Sequence, residues 1–157
     1  MNAPLYSRGG ARSYAQVGLE TGVNAATPEK LITMLFDGAH VAIARARHAL
    51  EQKDVPARGA AIGKAVGIVS DGLKAVLDRE RGGEVAANLY ALYDYIERCL
   101  LTANLRGDRA KLDEADRLLG GIASAWKEMA AANAPASSTA AAPAGPGQTT
   151  PTIRVAS

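Results

Sequence analysis

The sequence predicts an all-α fold: an antiparallel, up-down-up-down four-helix bundle, with a short N-terminal helix or cap before it and a disordered C-terminal tail after it. Three observations carry this reading. Apolar residues recur at spacings of three and four along four successive stretches, the period of a helix with one buried face. Helix-start residues open three of those stretches, at Thr27, Asp54 and Asp108. No stretch alternates apolar and polar residues as a strand would, and no Asn-Gly dipeptide marks a hairpin. The connections between the stretches are short, which forces consecutive helices to run antiparallel.

Residues 1–26 are mixed and contain several glycines, with a weak helical signal over Ser13–Thr21; they form an N-terminal cap segment. The first strong helix starts at Thr27-Pro28-Glu29. The Thr27 hydroxyl can cap it, Pro28 suits its first position and Glu29 favours the positive end of the dipole. Leu31, Leu35, Ala39, Ala42, Ala46 and Ala49 form one stripe, and Ile32, Phe36 and Ile43 form a second. Two stripes predict a helix buried on more than one side, ending near Gln52. The second helix is capped by Asp54 with Pro56 in its first turn, and Ile62, Val66, Val69, Leu73 and Val76 give it a heptad seam. Arg79 to Gly83 make the following turn. The third helix carries a seam of Val85, Leu89, Leu92, Ile96, Leu100 and Ala103. The fourth begins at Asp108 and repeats through Leu112, Ala115, Leu119, Ile122, Trp126 and Met129. The bundle domain is therefore assigned to residues 27–131. From 132 to 157 the chain is rich in Ala, Pro, Ser and Thr with almost no large apolar residue, too little to offset the entropy of ordering it.

Composition narrows the function. A net charge of +2 gives no reason to expect nucleic acid or an anionic membrane as a partner. One Phe and one Trp leave the core to Leu, Ile, Val and many Ala. Such helices approach closely and leave shallow furrows rather than deep pockets. Cys99 is the only cysteine, so an intrachain disulfide is impossible and a reducing compartment fits. The N-terminus lacks the apolar run of a signal peptide, and no stretch approaches the roughly 20 apolar residues of a membrane span. The expectation is a cytosolic protein without membrane insertion.

No catalytic constellation is visible, so no catalytic residue, cofactor or metal is assigned and the chain is not expected to be an enzyme. A di-iron bundle needs carboxylates on facing helices and two carboxylate-x-x-His pairs. Asp37 and His40 supply one such pair, but His48 has no carboxylate at that spacing. Phosphate-loop, HExxH and nucleophile-elbow patterns are absent. Cys99 sits beside the Ile96/Leu100 seam and reads as a buried structural thiol.

The third helix places three of the chain's five tyrosines together, Tyr90, Tyr93 and Tyr95. Tyr90 and Tyr93 share a face, while Tyr95 lies about 200° round the helix from Tyr93. The rings either fill the core with hydroxyls at its rim or line an external groove for a partner, since tyrosine is favoured at interfaces.

The ordered set SYAQVGLETGV (Ser13–Val23), TPEKLITMLFDGA (Thr27–Ala39), GLKAVLDRERGGEVAANLYALYDYIERCLLTANLRGD (Gly72–Asp108) and LLGGIASAW (Leu118–Trp126) resembles the FliS family of flagellar secretion chaperones. The likeness runs from about Tyr6 to Trp126. Phe36 stands where the family often has Tyr, and the Ala/Pro tail goes beyond the family pattern. The resemblance implies a non-enzymatic chaperone with an antiparallel helical bundle. It implies binding of the C-terminal segment of flagellin, protection of that segment from premature polymerisation, and delivery to the cytoplasmic domain of the flagellar type III export gate. It also implies that the N-terminal segment can cover part of the client surface. The alternative is a regulatory bundle adaptor for an anti-sigma factor or co-chaperone.

Partner-binding residues follow from this likeness. Tyr6 and Tyr14 match the family's N-terminal tyrosines, implied to contact the bundle and influence client or export-gate binding. Ile32 and Met34 are groove candidates, Met being suited to an adaptable surface. Ile68 and Leu73 divide between core and groove. Tyr93 or Tyr95, with Ala103 and Asn104, would border a client groove. The Asn104 amide can bond an extended client backbone or the Gly107-Asp108 turn.

Overall fold

The structure, a computed structural model, describes residues 27–133. Four helices form it. α1 spans Pro28–Glu51. α2 spans Val55–Gly67 and continues as a π-helical stretch, Ile68–Lys74. α3 spans Gly83–Arg106 and α4 spans Arg109–Ala132. The helices adjoin one another in ring order, α1–α2–α3–α4 and back to α1, with α1 and α3 on one diagonal and α2 and α4 on the other. This is the up-down-up-down bundle that the short connections require. The expected N-terminal cap segment and nearly all of the expected tail lie outside the described residues.

The helix starts follow the sequence signals. The Thr27 hydroxyl accepts from Lys30 N at 3.1 Å, and Asp54 and Asp108 accept from Ala57 N and Lys111 N at 3.1 and 3.3 Å. Each satisfies a backbone donor that helix geometry leaves orphaned. α3 ends on Gly107, whose φ of +62° lets the chain turn left-handed at no Cβ cost. The Gly82–Gly83 pair makes the preceding corner, with Gly83 at φ +56°.

The core is continuous through the bundle. Ile32, Phe36, Ile43, Ile62, Val69, Leu73, Tyr93, Ile96, Leu100 and Leu112 close on one another. Alanines at 39, 42, 46, 65, 86, 103 and 115 let the backbones approach between them. The seam of α3 differs from the expectation. Val85 is 56% exposed, and Tyr93 occupies the middle of the buried face with no exposed area. The helix is turned so that Ala86, Tyr93, Ile96, Cys99, Leu100 and Ala103 face inward. The heptad spacing gave no sign of the π-helical stretch, in which Ala75 N donates to Ser70 O at 3.2 Å. It buries Val69 and Leu73 and turns Lys74 toward α3.

Polar bridges tie three of the four helix pairs. Between α1 and α4, His40 Nδ1 lies 2.6 Å from Asp116 Oδ1, Arg47 pairs with both Asp113 and Asp116, and Arg109 reaches Glu51 at 3.0 Å. Trp126 Nε1 donates to Thr33 Oγ1 at 3.2 Å across the same pair. Between the second helical segment and α3, Lys74 Nζ sits 2.6 Å from Asp94 and 3.0 Å from Glu97. Between α3 and α4, Tyr95 donates to Glu114.

Candidate binding groove

The α1–α2 seam is built differently. Small side chains line it on both sides, Ala42 and Ala49 from α1 and Ala57 and Ala61 from α2. Gly38 lets Ile68 close in: its Cδ1 lies 3.4 Å from where a Gly38 Cβ would sit. Small residues on both walls leave an open furrow with a volume of about 760 Å³, lined mainly by apolar atoms. Val41, Ala44, Ala57, Ala60 and Ala61 line it, with His40, Arg45, His48 and Lys64 among the polar residues that border it. Toward the other end of α1, Met34 lies one helical turn from Gly38 on the same side and is 41% exposed. Two of the expected groove residues, Met34 and Ile68, lie on the α1–α2 seam but not among the furrow's lining residues, which begin on α1 at His40.

The remaining candidates divide. Ile32, Leu73, Tyr93 and Ala103 are at most 2% exposed. Ile32 and Ala103, expected at a groove, and Leu73 and Tyr93, for which a groove was one of two options, are instead spent in closing the bundle, because α1, α3 and the π-helical stretch turn these positions inward. Tyr95 is half-buried and points toward α4. Its bond holds the Glu114 carboxyl below the usual range, with help from Lys111. In turn the bond raises the Tyr95 phenol. Asn104 takes the internal option, but with a different partner. Its side-chain oxygen accepts from Arg58 Nε at 3.3 Å, and its backbone carbonyl accepts from Arg58 Nη2 at 2.8 Å. Tyr90 lies under two cations, with Arg79 4.1 Å and Lys74 5.1 Å from its ring centroid. The three tyrosines of α3 thus serve a surface cation stack, the core and the α3–α4 seam respectively. Tyr6 and Tyr14 lie outside the described residues.

Among the described residues no group of His, Cys, Asp and Glu is arranged to hold a metal; His40 pairs with Asp116 rather than acting with Asp37. Cys99 is buried, and burial pushes its thiol up, away from the reactive thiolate. No helix of the described residues is long and apolar enough to cross a membrane.

The sequence reading missed the furrow's own residues, Val41, Ala44, Arg45, Ala57, Ala60, Ala61 and Lys64. For the α2 residues the signal lay in the Ala/Gly density of VPARGAAIGKAVG, where Ala57, Ala60, Ala61 and Lys64 fall at the spacing of one helix face.

Comparison with known proteins bears on what such a furrow serves. Residues 10–133 match the family described as Flagellar protein FliS. Over 125 residues the chain is 53% identical to the flagellar secretion chaperone FliS of Salmonella typhimurium, covering 80% of this chain and 93% of that one. It is 41% identical over 124 residues to the Escherichia coli K12 protein of the same name, covering 79% and 91%. The Bacillus subtilis counterpart is 33% identical over 109 residues, covering 69% and 80%.

Proposed function

The chain belongs to the flagellar protein FliS family, and from that premise we propose that it is a cytosolic, non-enzymatic flagellar export chaperone. Its client is the disordered C-terminal segment of flagellin. It holds that segment against the outside of the bundle, prevents premature polymerisation and presents it to the export gate. The observation that carries this reading is the family match across the whole described bundle.

The α1–α2 furrow supplies the physical means. From His40 to Gln52 it follows about 12 residues of α1, or about 18 Å at helical rise, enough to seat a client helix of about three turns. An amphipathic helix docks by its i, i+3, i+4 face. A disordered client gives up about 2–5 kcal/mol on ordering, so it must cover a broad surface, on the order of 1,000–3,000 Å². A long bundle offers that area where a compact pocket does not. The furrow is one part of it.

Titration calorimetry of the purified protein with a flagellin C-terminal peptide tests the reading. One-to-one binding is expected, with a gain of peptide helicity by circular dichroism. Absence of binding at tens of micromolar peptide overturns it.

A further inference from the structure

We propose that the α1–α2 furrow selects a helix whose aliphatic stripe is flanked by carboxylates, and that Arg45 and Lys64 are its electrostatic clamps. This rests on the chaperone reading and specifies the chemistry of the segment that the furrow takes.

The charge distribution points to this occupant. Elsewhere the cations between helices are already met: Arg47 by Asp113 and Asp116, Lys74 by Asp94 and Glu97, Arg109 by Glu51. Arg45 and Lys64 border the furrow from opposite walls, and neither has an ion-pair partner among the described residues. Both are exposed. The one carboxylate at the furrow, Asp54, caps α2 through Ala57 N. The two cations border the same alanine-lined furrow, Arg45 from α1 and Lys64 from α2. His40 and His48 also border the furrow. A helix with carboxylates on both sides of its apolar stripe meets a cation on each wall. A lysine-flanked helix meets repulsion on both.

The test uses the full chain and two synthetic 18-residue amphipathic peptides. They share one Leu/Ala stripe, flanked by Glu in one and by Lys in the other. The flagellin C-terminal segment is titrated in parallel. The Glu-flanked peptide is expected to bind about tenfold tighter than the Lys-flanked one at low salt, a preference that shrinks as ionic strength rises. The double variant Arg45→Glu/Lys64→Glu is expected to invert the preference, with its fold checked by circular dichroism. If that variant fails to fold, Arg45→Gln/Lys64→Gln is expected to abolish the preference. Equal affinities, a Lys preference, or no binding of either peptide overturns the clamp proposal. If the flagellin segment still binds in that case, the chaperone reading stands. If it does not, the chaperone reading falls as well.

Discussion

Replacing Tyr93 by alanine decides whether this ring belongs to the core or to a partner surface. The ring has no exposed area and sits between Ile96 and Leu100 of its own helix and the facing core of the bundle. Truncating a fully buried aromatic removes its transfer energy and leaves a cavity, at a cost of about 3–5 kcal/mol. A domain of this size unfolds with a total of about 5–15 kcal/mol, so the variant should lose a large share of its stability. At about 4 °C per kcal/mol for a domain near 100 residues, Tm should fall by about 12–20 °C. The assay is thermal unfolding followed by circular dichroism and by the fluorescence of Trp126, the chain's only tryptophan. A Tm within about 2 °C of the parent, together with loss of client binding, would refute the core assignment and return Tyr93 to the surface.

Other perturbations follow from the same packing. Ala103→Arg would force a guanidinium into a site that is 1% exposed. It should unfold the bundle outright, seen as loss of the helical circular dichroism signal, rather than merely weaken client capture. Gly107→Ala places a Cβ at a φ of +62° and 3.2 Å from Arg58 Nη1. It should cost about 1–2 kcal/mol, read as a lower urea midpoint at unchanged slope. Lys74→Met should show a pH signature. Lys74 holds the Asp94 carboxyl below its usual range, so that contribution is present above about pH 4 and is lost as acid titrates the folded-state group. The Lys74 amine itself is raised by its bond to Asp94, so its contribution is present below about pH 10 and is lost as pH rises further. The variant should therefore be less stable than the parent across neutral pH, and the two urea midpoints should converge toward strong acid. A constant difference at every pH would contradict the assignment.

Much of the bundle could be read from the sequence because its signals are local. Thr27, Asp54 and Asp108 cap where their side-chain chemistry dictates, and Gly107 turns the chain because only a residue without Cβ does so freely. The rotation of α3 was not legible. Val85 and Ala86 are adjacent, and which one faces inward depends on where Tyr93 packs, a tertiary choice that periodicity leaves open. The π-helical stretch was hidden for a similar reason: it keeps Ile62, Val69, Leu73 and Val76 inside, so the seam reads as an ordinary heptad. The candidate site was legible only in part. Met34 and Ile68 lie on the α1–α2 seam beside the furrow without lining it; a large apolar residue at a seam looks the same whether it closes a core or borders a groove, and Ile32, Leu73, Tyr93 and Ala103 close the core. Shallow furrows follow from the alanine content, but which alanines line one depends on how α1 and α2 pack, a tertiary choice. The exterior is not uniformly polar: Val41 is 47%, Leu101 55% and Leu105 81% exposed.

Hydrogen exchange on the protein co-purified with flagellin tests the central claim most directly. Amides along His40–Gln52 of α1 and Ala57–Lys64 of α2 should exchange more slowly in the complex than in the free chain. Unchanged exchange at both segments, with protection confined to α3 and α4, would contradict the placement of the client in the α1–α2 furrow.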